Sequence, residues 1–368
     1  MIRSFAKKKF YLLHQLVLLC MMSLTTTKTF GNDLLKVVVV GLSHDHVHLI
    51  LNQHKNKEVI ILGIAENNNE LITRFKKAYN LPDTLFYDNL KGMLNAVKPD
   101  IALAYNAIAD HISVVETCAP LKIDVMVEKP LAINTTQAKR IADLAEKHGI
   151  RVLTNYETTW YGSNQTIKQL VDSGFIGQVK KVLVRDGHEG PQEIGCSKEF
   201  LAWLTDPEKN GGGAIMDFGC YGANLLTWLM EGERPVAVTA TKRQLKPAVY
   251  PNVDDDATII LEYANVTAVI QASWDWPYSI KDMQVFGEKK SLHAVDDKKL
   301  ILYESPKNQK NIDLKEDYYK DNLVYLKEVL EGNNNTENDL SSLSNNLLVV
   351  EILEKAKESA QKGERILF

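Results

Sequence analysis

The stretch Leu34-Leu35-Lys36-Val37-Val38-Val39-Val40-Gly41-Leu42-Ser43-His44-Asp45-His46-Val47-His48 decides the fold. Its first seven residues are almost all apolar and mostly β-branched, as a strand buried on both faces must be. Gly41 ends the run, and the polar residues after it start a helix. The pattern recurs downstream. Apolar runs at 59–65, closed by Glu66, at 101–104 and at 125–127 read as further strands. Between them Leu71, Ile72, Phe75 and Ala78 keep one apolar helical face, as do Ala138, Ile141, Ala142 and Ala145 ahead of a stop at Gly149. Strands alternating with helices predict a parallel, doubly wound α/β sheet.

After Asn155 the character changes. Longer strands are expected at 180–186, 236–241, 257–263, 267–273, 282–286 and 299–303, several separated by turn residues such as Ala264-Asn265 and Gly287-Glu288. Near the end, Leu347, Leu348, Val350, Ile352, Leu353, Ala356 and Ala360 outline an amphipathic helix that stops at Gly363. The chain therefore divides into a nucleotide-type α/β domain over 32–155 and an α+β domain over 156–368, built on an open, mainly antiparallel sheet. The asparagine runs at 67–69 and 333–335 read as solvated loops.

The first residues read as an address. Arg3, Lys7, Lys8 and Lys9 precede a mainly apolar run at 11–24, too short to span a membrane, and small residues follow at Thr29 and Gly31. A cleavable signal peptide over 1–31 is expected, and with it export to the periplasm or beyond; a retained N-terminal anchor is the alternative. Cys20 follows Leu19 rather than a small residue, which argues against lipoprotein-type cleavage. Cleavage leaves 38 basic residues against 47 acidic, a net of −9, so nucleic acid is not an expected partner. Cys118, Cys196 and Cys220 survive it, an odd number without metal-type spacing; they make no disulfide framework, though one Cys196–Cys220 bridge stays open.

A dinucleotide-binding turn needs three glycines, for a tight bend, for close approach of backbone to pyrophosphate, and for helix-on-strand packing. Only Gly41 is present; Ser43 and His46 hold the second and third positions. Ser43 is small and can donate to phosphate at the helix start. Asp45 or Ser43 capping the helix is a competing reading. Histidines 44, 46 and 48 around Asp45 suggest zinc, but a strand-to-helix turn is expected to splay them, so no metal is assigned. Cofactor contact is the main expectation for Gly41, Ser43, His44, Asp45 and His46, with His44 the first choice to face the reacting end. Glu66, 25 residues past Gly41, can accept from a ribose 2′-hydroxyl and would repel a 2′-phosphate, which favours NAD over NADP. An exposed loop glutamate is the bland alternative.

Two further motifs carry chemistry. Glu128-Lys129-Pro130 closes the apolar run at 125–127, and Gly211-Gly212-Gly213 precedes a helix with Asp217 and Tyr221 on one face, 88 residues after Lys129. An ammonium beside a hydroxyl and a phenol stabilises alkoxide and phenolate alike. With the turn at Gly41 these motifs resemble the glucose-fructose oxidoreductase and inositol dehydrogenase family (Gfo/Idh/MocA) over nearly the whole chain after residue 33. Tyr221, where the inositol dehydrogenase branch has histidine, together with Gly219, Gly222 and Asn224, is similar to the tyrosine branch. The resemblance implies a Rossmann domain, Tyr221 as acid–base group, Lys129 lowering its pKa, and Asp217 orienting a substrate hydroxyl. It further implies Asn106 and His111 lining the nicotinamide half, Glu128 orienting the lysine or touching the nicotinamide ribose, and a homo-oligomer.

Aromatic and polar residues around this centre, Tyr156, Trp160, Tyr161, His188, Glu189, Trp274 and Trp276, are candidates for sugar contact, His188 first. The expected function is an exported NAD-dependent oxidoreductase acting on a secondary hydroxyl of a sugar or glycoside, its cofactor held tightly because free dinucleotide is scarce outside the cytoplasm. Two alternatives stand beside it: a redox-neutral glycosidase working by oxidation, elimination and reduction, and a non-catalytic sugar-binding protein whose glycine-poor turn has lost its dinucleotide. No stable membrane insertion is expected after cleavage.

Overall fold

The structure, a computed structural model, describes residues 33–314, 321–333 and 339–368; the expected signal peptide lies outside them. Strands β1 (Lys36–Val40), β2 (Ile60–Ala65), β3 (Phe86–Tyr87), β4 (Ile101–Ala104), β5 (Asp124–Glu128) and β6 (Val152–Asn155) form one parallel sheet in the order β3-β2-β1-β4-β5-β6. The valines of β1 alternate between its two faces. Val37 and Val39 join a core with Leu51 and Phe75, while Val38 and Val40 join one with Val115 and Ile141. The first of these cores is completed from the far end of the chain, by Leu323, Leu326 and Val329 of the helix Asn322–Glu331.

The second sheet has nine strands: β7 (Val179–Gly187), β8 (Ala237–Arg243), β9 (Asp256–Glu262), β10 (Thr267–Ser273), β11 (Ile280–Gly287), β12 (Ser291–Ala294), β13 (Leu300–Ser305), β14 (Asn308–Ile312) and β15 (Ile366–Leu367). Their order is β14-β13-β12-β11-β7-β10-β9-β8-β15. Every pairing is antiparallel except β7 with β10, which run parallel in register Lys181↔Thr267. A parallel pair needs a long crossover, and the helical segment between β7 and β8 belongs to it. The helix Gly219–Leu229 lies against this sheet and is buried along its whole length. Three cysteines, Cys118, Cys196 and Cys220, are free thiols, so the Cys196–Cys220 bridge left open by the sequence is not formed. No helix among the described residues is long and apolar enough to cross a membrane.

The glycines at 211–213 have a steric cause. A Cβ on Gly213 would lie 1.7 Å from the Asp254 carbonyl oxygen. That close approach lets Asp254 seize the start of the segment Ala214–Asp217: its carboxylate accepts from Gly213 N at 3.1 Å and Ile215 N at 2.8 Å, and its carbonyl accepts from Ala214 N at 2.9 Å. Gly213→Ala is expected to cost about 3 kcal/mol, the upper range for overpacking, because backbone rather than a side-chain tip must move. A urea unfolding midpoint equal to wild type would contradict this.

Candidate active site

At the carboxyl ends of β1, β2 and β4 lies a groove of about 560 Å³ whose lining includes Gly41, Ser43, Glu66, Asn68, Asn106 and Trp203. Gly41 has φ +81°, and a Cβ there would stand 3.0 Å from that of Asn106. The bend and the close approach are the two features a first glycine serves. The Asn106 Oδ1 is buried with no partner among the described residues. Glu66 stabilises the turn itself: Oε2 accepts from Leu42 N, and Oε1 accepts from Asn67 N and Asn68 N, all at 2.9 Å. A carboxylate has about four lone-pair positions, so one remains toward the groove. Glu66 is thus anchored at the end of β2 and is not a free loop residue.

The helix Lys198–Leu204, from the second half of the chain, crosses over this turn. Ser197 N donates to Asp45 Oδ2 at 2.8 Å, Trp203 Nε1 to the Ser43 carbonyl at 3.4 Å, and Arg74 grips Glu199 through both guanidinium nitrogens at 3.2 and 2.8 Å. Asp45 therefore ties the two halves together. The helix Val47–Lys55 has no side-chain cap, which removes the capping role weighed for Asp45 and Ser43.

His44 does not open onto the groove. It is 1% exposed, with Phe200 at 4.6 Å and Trp203 at 5.5 Å between ring centroids. Burial, then the nearby His46, Lys129 and His111, holds it neutral well below the usual histidine range. The turn also fails to splay His44 and His46 as expected, whereas His48 turns away to stack on Phe75. His44 and His46 stand 4.4 Å apart by ring centroid, and with Glu128 they place ligand-type atoms within 4.8 Å of one another. These donors are turned on each other. His44 Nδ1 accepts from His46 N at 3.2 Å, and Glu128 bonds His46 Nδ1 at 2.9 Å and Asn155 Nδ2 at 2.8 Å. The cluster is a hydrogen-bonded network that fixes the Glu128 carboxylate beside Lys129. Burial would raise the Glu128 pKa, but His46, Asn155 and Lys129 together hold it below the usual carboxylate value. His111, on the buried side, bonds the Leu131 carbonyl through Nδ1 at 3.2 Å, has no partner for Nε2 among the described residues, and is lowered to about 4 chiefly by burial.

Lys129 leaves the end of β5 through a cis Lys129–Pro130 bond. Its ammonium pairs with Asp217 Oδ1 and donates to the Asp217 carbonyl at 3.0 Å, both residues being almost fully buried. Trp274 Nε1 takes the other Asp217 oxygen at 2.9 Å. Trp274 is thus fully buried and positions Asp217; its indole is not a sugar platform. Burial alone would lower the Lys129 pKa, but Asp217 more than offsets it and the value rises. Burial would likewise raise Asp217, and Lys129, His188 and Trp274 hold it down.

The Lys129 ammonium stands 4.9 Å from the Tyr221 ring centroid, and Lys281 stands 5.1 Å from it. Tyr221 is 1% exposed. Its pKa is pushed well above the ordinary phenol value, by burial first and then by Glu157, Asp186, Cys220 and Asp217. The sequence expectation was a Lys129 that lowers it; here the Lys129 charge is matched by Asp217. Tyr156 packs edge-on against Tyr221 at 5.4 Å, and His188 against Phe218 at 4.9 Å, with Nδ1 accepting from Gly190 N at 2.9 Å. Trp160 instead packs on Tyr325 at 5.3 Å, and Tyr161 donates to Glu157 at 2.8 Å. Residues the sequence reading passed over are Asn155, Asp186, Trp203, Asp254 and Lys281. Asn155 alone left a signal, as a polar residue ending a strand next to the sheet's active edge.

Comparison with known proteins agrees with this geometry. Residues 35–156 match the model of an oxidoreductase family with an NAD-binding Rossmann fold (GFO_IDH_MocA), and residues 164–293 match the GFO/IDH/MocA C-terminal domain. Trans-1,2-dihydrobenzene-1,2-diol dehydrogenase of Xenopus laevis is 28% identical over 216 residues, 58% of this chain and 60% of its own. D-xylose 1-dehydrogenase [NADP(+)] of Haloarcula marismortui is 28% identical over 177 residues, 46% of this chain and 48% of its own. The match thus spans about 60% or less of the length of these curated relatives. Among solved structures, aldose-aldose oxidoreductase from Caulobacter crescentus, complexed with glycerol, superposes with TM-score 0.77 at 19% identity, covering 91% of this chain and all of that one. The WlbA dehydrogenase of Bordetella pertussis, in complex with NADH and UDP-GlcNAcA, gives 0.73 at 18%, covering 91% and 99%. These structures share the fold.

Proposed function

The chain belongs to the Gfo/Idh/MocA oxidoreductase family, and from that premise we propose that it is an exported, NAD-dependent oxidoreductase of a secondary hydroxyl on a sugar or glycoside. The observation that carries this reading is the Lys129–Asp217 pair closed beside Tyr221 at the end of β5, beyond the same sheet edge as the groove at Gly41. The residues present fit a dinucleotide: a cradle at Gly41 that a Cβ would fill, and buried atoms on Asn106 and His111 without a partner among the described residues. Bound there, the nicotinamide would supply a hydride acceptor. Gly41, Ser43 and Asn106 would hold the phosphates and adjoining ribose, and Glu128 and His111 the nicotinamide end. Tyr221 would hold or take the hydroxyl proton, and Asp217 would keep Lys129 charged and in place.

Glu66 supports NAD over NADP. Its fixed carboxylate repels a 2′-phosphate, Asn67, Asn68 and Asn69 after it offer no cation, and Arg74 is engaged by Glu199. The basic N-terminal segment before 11–24 supports export, and export with scarce free dinucleotide fits a retained cofactor. A homo-oligomer formed through the second sheet belongs to the same reading.

Denaturing the purified protein and weighing any released dinucleotide tests it. NAD is expected; NADP would overturn the assignment at Glu66. Protein that releases none and binds none when it is added would favour the non-catalytic sugar-binding alternative. Release of an aglycone from a glycoside with no net cofactor reduction would favour the redox-neutral glycosidase.

A further inference from the structure

Asp186, near the end of β7, is a carboxyl group that the reaction as described does not use. It is 1% exposed, and its Oδ1 is sealed from solvent without a partner among the described residues. A buried polar atom left unmade costs about 1–3 kcal/mol, so native chains keep few of them, and keep them where a ligand or water completes the bond. Its position is well defined. Asp186 stands directly opposite Lys281 across the β7–β11 pairing, so the two side chains share one face of the sheet. The Lys281 ammonium lies 5.1 Å from the Tyr221 ring centroid and pairs with Glu157. Tyr221, the unpartnered Asp186 Oδ1 and Lys281 therefore belong to one polar cluster. Asp186 lies within electrostatic reach of Lys129 and Asp217 as well.

Resting on the oxidoreductase reading, we propose that Asp186 is a substrate-recognition residue, hydrogen-bonding to a hydroxyl of a neutral sugar next to the hydroxyl that Tyr221 handles. Burial, reinforced by Glu157 and Asp217 and opposed by Lys281 and Lys129, raises the Asp186 carboxyl well above its usual range. Both nearby cations already have carboxylate partners, Lys129 in Asp217 and Lys281 in Glu157. That leaves no cation to receive an acidic sugar, and a neutral ring is the class this cluster suits.

The test is calorimetric titration of the mature protein with methyl glucoside, methyl galactoside, methyl mannoside and glucuronate, with thermal melts of each variant. Wild type is expected to bind at least one neutral glycoside more tightly than glucuronate. Asp186→Ala is expected to weaken that binding about tenfold or more, whereas Asp186→Asn, which keeps a hydrogen-bonding side chain of the same shape, stays within about threefold. In turnover, Asp186→Ala raises KM. The melts give the discriminating readout. Removing an unpartnered polar group leaves Tm unchanged or higher, while a structural role would lower Tm together with affinity. Unaltered affinity in Asp186→Ala, an Asn variant as weak as Ala, a lowered Tm in both variants, or wild-type protein that binds none of the four sugars overturns the proposal. Binding that behaves as expected in protein that never reduces its cofactor would instead sink the oxidoreductase reading and leave the recognition role standing.

Discussion

Lys129→Met is expected to lower stability by about 3–5 kcal/mol and to abolish turnover, the larger of the two effects that a single change at this site can produce. The reason is asymmetric. Lys129 and Asp217 are almost fully buried and joined by a charge-assisted bond, so removing the amine strands a carboxylate whose remaining partner is the Trp274 indole. Removing both charges is far milder: Lys129→Met with Asp217→Leu should regain most of the lost stability while remaining inactive, because well-packed apolar pairs replace buried ion pairs at little cost. The pH dependence has a definite sign. Asp217 is held below its ordinary value of 3.8 and Lys129 above its ordinary 10.5. The pair's contribution is therefore whole between those two values. It is lost as pH falls toward and through the folded Asp217 value, and again as pH rises through the folded Lys129 value. Chemical unfolding of the four proteins at neutral pH decides the matter: a double variant no more stable than Lys129→Met would show that the pair does not behave as a unit.

The parts of this arrangement legible in the sequence were those with a local cause. Val37 to Val40 announce a strand buried on both faces, and the four-residue step from Asp217 to Tyr221 places both on one helical face. Strands β3 and β6 were missed for equally local reasons: Phe86–Tyr87 is too short for any period, and β6 ends in Thr154 and Asn155. What the sequence could not carry was partnership across long separations. Ser197 meets Asp45 from 152 residues away, and Asp254 holds the segment bearing Asp217 from the next strand's approach. The expected splaying of His44 and His46 failed for the same reason, since the residue that draws His46 inward, Glu128, lies 82 positions later. Trp274 shows the converse error. An aromatic residue in a sugar enzyme invites a stacking role, yet burial and one indole bond to Asp217 give it a positioning one.

Tyr221→Phe should fold like wild type and lose about 10² to 10⁴ in kcat, the usual range for one positioned proton-transfer group. The wild-type pH profile should then differ between the two directions of reaction. Tyr221 is held as a neutral phenol by burial first and then by Glu157. In sugar oxidation it must accept a proton, and the phenolate fraction rises tenfold per pH unit below its pKa, so the rate should climb from about pH 6 to about pH 10 without a plateau. In the reducing direction the phenol donates, and the rate should be flat over the same interval. Glu157 supplies the means to separate this from a general alkaline effect. It leads the charges that raise Tyr221, and it also neutralises Lys281 above the ring. Glu157→Gln removes an anion and uncovers a cation in one step, so the climbing limb should move to lower pH and the oxidation rate at neutral pH should rise. Should the limb stay fixed in Glu157→Gln, or persist in Tyr221→Phe, the proton is carried by another group and Tyr221 only packs against Tyr156.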